Sequence, residues 1–192
     1  MGRATLPQTR RQMQRGFTSA DLECLFAGCF AADQNTLLIG GAEEPFYQPP
    51  QDGQPAKIIY TRDYFRSALH ETAHWCVAGP ARRKLPDFGY WYAADGRDAC
   101  QQLEFQQVEI RPQALELLFC AAGGHPFRVS LDNLHGGAGD VSGFEAAVLD
   151  RAKCLAESGL RGRAGRWCQA LSSYYRGGPF SAGQVDEVFL RW

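Results

Sequence analysis

Leu69-His70-Glu71-Thr72-Ala73-His74-Trp75-Cys76, running on to Gly79-Pro80, is the stretch on which the fold and chemistry of this chain turn. Asp63 opens a helix here, and a glycine followed by a proline closes it, because proline cannot continue a helix. Phe65, Leu69, Ala73 and Cys76 recur at helical spacing and mark a buried stripe. His70 and His74 lie immediately beside that stripe, about 40° apart around the axis, so both imidazoles project from one inward-turned face. Two rings so placed can hold one metal ion, with Glu71 next to whatever the metal binds. The chain has only four histidines, and two of them are here.

Working outward, residues 57–61 read as a strand that is apolar and β-branched at its centre. Residues 36–39 form another, ending at Gly40-Gly41, and the proline-rich stretch 43–55 between them reads as a loop. Ahead of these, Leu22, Leu25, Phe26, Cys29 and Phe30 predict an amphipathic helix over 19–31, with Thr18 or Ser19 as its cap. Asp87-Phe88-Gly89-Tyr90-Trp91-Tyr92 favours an extended segment, with Phe88, Tyr90 and Tyr92 on one face. Helices are expected over 98–108 and, with Pro112 in its first turn, over 112–122. A short strand at 127–130 and three helices at 144–157, 164–175 and 181–192 complete the pattern. The fold class is therefore α+β: one zincin-like domain over 17–192, its small sheet packed by a majority of helices with the His70–His74 helix at the centre.

A chain of 192 residues with 45% hydrophobic and 12% aromatic residues supports one sizeable core. A net charge of −1 argues against direct binding of nucleic acid or an anionic membrane. No apolar run reaches the ~18–20 residues needed to span a bilayer. Residues 1–16 carry four arginines and no apolar core, so they read as a disordered leader and not a secretory signal; the expected compartment is the cytoplasm. The seven cysteines form an odd set with no C-x-x-C pair, as buried thiols of a reducing compartment do.

A third metal ligand must come from a carboxylate downstream: Asp87, Asp95, Asp98, Glu104, Glu109 or Glu116. Glu109 stands between Val108 and Ile110, an apolar setting in which a bare carboxylate is costly unless paired or bound to a metal. Glu104 and Glu116 look like ordinary helix-surface residues, and either stays open as the ligand. Two histidines and one carboxylate fit two chemistries. With zinc they make a peptidase-like hydrolase that uses Glu71 as general base. With Fe(II) and open positions for O₂ they make the facial triad of non-haem oxygenases, where Glu71 handles protons. Asp87 and Tyr92 are candidate pocket residues; His125 and His135 adjoin glycine-rich turns, and His135 reads as a solvent-facing loop residue ahead of one that approaches the site.

Taken together, His70 to Cys76, Ala78-Gly79, Ala81-Arg82-Arg83, Asp87 to Tyr92, Asp95-Gly96-Arg97-Asp98 and Val108-Glu109-Ile110-Arg111-Pro112-Gln113-Ala114-Leu115 resemble the bacterial elongation factor P hydroxylase family. Cys29-Phe30, Leu118-Phe119-Cys120 and Asp132-Asn133-Leu134 agree, so the likeness spans about 20–176. The resemblance implies a cytoplasmic enzyme that hydroxylates the lysine of translation elongation factor P after its extension with a β-lysyl group. It implies a metal held by His70, His74 and Glu109, with O₂ as oxidant. Glu71 or Asp87 would then hold the ammonium groups of the substrate. The His-x-Asp pair usual in 2-oxoglutarate enzymes is absent, which leaves the electron donor open, as are the metal's oxidation state and the oligomeric state.

Overall fold

The computed structural model describes residues 16–89, 99–131 and 141–191. The expected leader, the aromatic run from Tyr90 to Tyr92, the Asp132-Asn133-Leu134 segment and His135 lie outside them, apart from Gly16 at the leader's end.

Helix α1 (Ser19–Gln34) leads into strand β1 (Thr36–Ala42), followed by β2 (Phe46–Gln48) and β3 (Ala56–Thr61). The Thr18 hydroxyl accepts from the Asp21 N–H and caps α1, whose buried residues Leu22, Phe26 and Phe30 belong to the expected stripe. The strands form one sheet in the order β1-β3-β2. β1 runs parallel to β3 with Thr36 opposite Ala56 and Ile39 opposite Ile59; β2 is antiparallel to β3. Strand β2 falls inside the expected loop, since three residues are too few to show a period. Glu23 ties α1 to the sheet, accepting from the Gly40 N–H and the Tyr60 hydroxyl, both at 2.8 Å. Only glycine fits at position 40, because a Cβ would lie 2.5 Å from the Arg62 carbonyl oxygen and 2.6 Å from the Tyr60 ring.

Helix α2 (Phe65–Val77) follows β3 and packs on both β3 and α3. Trp75 is fully buried between Phe26 and Phe30 of α1, with ring centroids 5.2 and 4.9 Å away. The Arg163 guanidinium lies 4.5 Å from the Trp75 ring and donates to the Ala78 carbonyl at 2.7 Å, which satisfies the end of α2 just before Gly79-Pro80.

Helix α3 (Ala99–Gly123) is one continuous rod with Pro112 inside it, where the sequence suggested two helices. Proline lacks the N–H that would bond back to residue 108 and breaks isolated helices. Here α3 is packed against α2, α4 (Val141–Glu157), α5 (Gly162–Leu171) and α6 (Gln184–Val188), and this tertiary packing carries it through. The expected helix over 181–192 shrinks to α6. Its end is taken by a parallel bridge in which the Phe127 N–H donates to the Val188 carbonyl and the Leu190 N–H to the Phe127 carbonyl. The same bridge is all that forms of the expected 127–130 strand. After α5 the chain widens into a π turn, Ser172–Arg176.

Pro86–Gly89 is a tight turn and not the extended segment expected there. Asp87 (φ 46°) and Phe88 (φ 56°) both sit in the left-handed region, costly for residues with a Cβ. Tertiary contacts offset that cost. The Asp87 carboxylate accepts from the Tyr47 N–H at 2.7 Å, the Phe88 ring stacks on Tyr47 at 4.1 Å, and Arg82 donates to the Phe88 carbonyl. The architecture is α+β, with six helices around a three-stranded sheet among the described residues, none of them long and apolar enough to cross a membrane.

Candidate metal centre

The two imidazoles of α2 face α3 across the helix pair. His70 Nε2 and His74 Nε2 lie 3.1 Å apart, their rings inclined at 72°. Glu109 of α3 closes the group, with one carboxylate oxygen 3.2 Å from His74 Nε2 and the other 3.7 Å from His70 Nε2. Donor atoms bound to one small divalent ion in tetrahedral or octahedral geometry stand about 2.8–3.6 Å apart. The 3.1 Å between the imidazoles and the 3.2 Å from His74 to the nearer carboxylate oxygen lie in that range, and the other oxygen, 3.7 Å from His70, stands just outside it. The donor set, two neutral-capable imidazoles and one carboxylate, suits Zn²⁺ or Fe²⁺ and leaves coordination positions unfilled by the described residues.

Burial gives these contacts their electrostatic weight. Glu109 is 5% exposed. Burial alone would raise its pKa, but His74 and His70, with Gln113 beside them, outweigh that and hold it at about 2. Burial lowers the basicity of His70, and the carboxylates of Glu116, Glu109 and Glu71 more than reverse this, lifting its pKa to about 10. Any proton held on the ligating nitrogens must leave for a metal ion to bind, so binding there would be pH-dependent.

Glu71 is half-buried and within electrostatic reach of His70, His74, Glu109 and Asp87. Burial pushes its carboxyl pKa upward, and the two carboxylates add to this against the pull of the histidines. No hydrogen-bond partner for it is found among the described residues. Asp87 has one carboxylate oxygen bonded to the Tyr47 N–H, so part of its hydrogen-bonding capacity holds the turn. Tyr92 lies outside the described residues. His125 stacks on Phe65 at 4.9 Å and is remote from the histidine pair in its contacts.

Glu116, expected on the surface, is 1% exposed. Its Oε1 accepts from Arg66 Nε (2.9 Å) and Nη2 (2.6 Å), and its Oε2 lies 3.0 Å from His70 Nδ1. The signal that could have found it is its spacing of seven from Glu109, which puts both on one face of a continuous helix. Gln102, Gln106 and Gln113 share that face and are also buried. Gln113 clasps the backbone of Ser130 through both amide atoms, at 2.8 and 2.9 Å. The wall of α3 behind the centre is therefore polar along its length.

Residues 25–185 match the elongation factor P hydroxylase family. Over 156 residues the chain is 46% identical to the elongation factor P lysine hydroxylase of Haemophilus influenzae, an alignment that covers 81% of this chain and 88% of that protein. With the matched region holding α2 and α3 in full, this chain belongs to the elongation factor P hydroxylase family.

Proposed function

We propose that this chain is an oxidoreductase that hydroxylates the β-lysylated lysine of translation elongation factor P in the cytoplasm, using Fe(II) held by His70, His74 and Glu109. The observation that carries the reading is the convergence of those three donors at coordination-polyhedron spacing in a family named for elongation factor P hydroxylation. A helix-borne histidine pair beside a small sheet and a partner helix supports a zincin-like reading, one turned to oxygen chemistry.

The bound metal would supply O₂ activation, with one oxygen atom entering a substrate C–H bond and the other leaving as water at the expense of two electrons and two protons from a separate reductant. The residues of the chain do the rest. Arrayed around one point, the donors would leave one side for substrate, and Glu71, within electrostatic reach of both histidines and of Asp87, would face it. A lysine side chain extended by β-lysine is cationic, and carboxylates with acceptor capacity to spare are the groups to receive it. Glu71, whose pKa is raised, can also take up and pass protons beside the reacting centre.

The test is direct. Purified protein is incubated with Fe(II), a reductant, O₂ and β-lysylated elongation factor P, and intact mass is measured. A single-oxygen gain that disappears in His70→Ala is expected. No gain with the wild type, or a gain that survives His70→Ala, ends the proposal. Peptide hydrolysis lost in Glu71→Gln with zinc bound, and no O₂ uptake, would favour a hydrolase instead.

A further inference from the structure

We infer that Glu116 is a positioning residue for the metal centre: held by Arg66, it fixes His70 in the tautomer that turns a bare Nε2 toward the metal. This rests on His70 being a ligand, as proposed above.

A neutral imidazole carries its proton on either nitrogen, and only the unprotonated one can bind a metal. For Nε2 to ligate, the proton must reside on Nδ1. His70 Nδ1 faces Glu116 Oε2 at 3.0 Å, and an ionised carboxylate can only accept. The bond therefore selects the Nδ1–H form. The carboxylate itself cannot turn away, since its other oxygen takes two N–H groups of Arg66 in a fork. At 1% exposure, water does not compete for it. The guanidinium is in turn seated 4.9 Å from the Phe127 ring. A chain of contacts thus runs from the aromatic Phe127 through Arg66 and Glu116 to the ligand nitrogen. His74 has no matching group: among the described residues nothing hydrogen-bonds to its Nδ1. Among the described residues, the centre is oriented from one histidine only.

Glu116→Gln tests this sharply, because it preserves shape and removes one acceptor. The two Arg66 N–H groups demand the amide oxygen, so the amide NH₂ is left facing His70 Nδ1. That reverses the tautomer and points Nε2–H at the metal. Titration of the full-length metal-free protein with Co²⁺, followed by its visible absorption, should show Kd weakened about 10- to 100-fold relative to wild type. Adding Arg66→Met frees the amide to rotate its oxygen toward Nδ1, so the double variant should bind Co²⁺ more tightly than Glu116→Gln alone. A role in packing alone predicts the opposite order. Should Glu116→Gln not fold, the Co²⁺-loaded wild type still decides: its proton NMR spectrum should contain a hyperfine-shifted, slowly exchanging N–H resonance from His70. A Glu116→Gln Kd within about twofold of wild type, a double variant weaker than the single, or the absence of that resonance overturns the inference. Wild-type protein that fails to bind Co²⁺ at all, or binds it equally well as His70→Ala, overturns instead the ligand assignment on which it rests.

Discussion

Two sets of residues around the histidine pair are built differently. On the His70 flank, Glu116, Arg66 and Phe127 form a closed set in which every charge is met. Around the pair as a whole stand Glu71, within electrostatic reach of both histidines, and Asp87, carboxylates with unspent acceptor capacity and pKa values raised chiefly by burial. The first set is closed; the second keeps room for a cationic group. In the proposed centre, one set would hold the ligands still and the other would receive substrate.

The largest expected effect comes from removing the anion common to both histidines. Glu109→Gln should weaken Co²⁺ binding by more than about 100-fold, beyond the cost typical of an outer-shell change, and titration would reveal it. Arg66→Ala strips the closed set of its counter-charge and leaves Glu116 buried with only His70. Breaking such a pair costs about 3 kcal/mol or more, a fall in Tm of about 6–12 °C for a chain of this size. The exposed Arg62–Glu43 pair, 57% and 82% accessible, is the control: Arg62→Ala should move stability by less than about 1 kcal/mol. Equal effects at the two arginines would erase the distinction between a closed set and a surface pair.

The open set is probed by substrate. Glu71→Gln should raise KM for β-lysylated elongation factor P by about 10-fold, the loss of one charge-assisted hydrogen bond. Asp87→Asn should do less, because Asp87 already serves Tyr47, and an unchanged KM in the double variant would mean that the acidic set does not receive the substrate.

The pH response of the metal-free protein separates the ligands further. The pKa of Glu109 falls on folding from 4.5 to about 2, so its stabilisation is present above 4.5 and lost as pH drops toward 2. The pKa of His70 rises from 6.5 to about 10, so its stabilisation is complete below 6.5 and lost as pH climbs toward 10. Thermal melts should therefore show a metal-free protein that weakens in both directions from the interval 4.5–6.5. The alkaline decline should be much smaller in Glu116→Gln, which lacks the carboxylate nearest His70; an unchanged decline would mean that another group governs it.

What the chain announced on its own was local. The α2 stripe, its Gly79-Pro80 end and the histidine spacing are short-range patterns, and Glu109 betrayed itself by standing between two apolar neighbours. Glu116 was hidden by a rule that is sound for isolated helices. Reading a break at Pro112 separated it from Glu109, and only the packing of α3 among four other helices restores the shared face. The turn at Asp87-Phe88 was hidden for a similar reason. Alternating aromatics favour an extended chain, and the contacts that overrule them come from Tyr47, forty residues away from Asp87. Likewise, the shortening of the last helix depends on Phe127. Each miss is a long-range contact defeating a local preference.

Pro112 has one further consequence. Without an amide hydrogen it leaves the carbonyl of Val108 with no partner four residues on, so α3 lacks the rung from 108 to 112, a span that contains Glu109. In mechanical terms the softest joint of the rod is the turn that carries Glu109, and Glu116 stands beyond it.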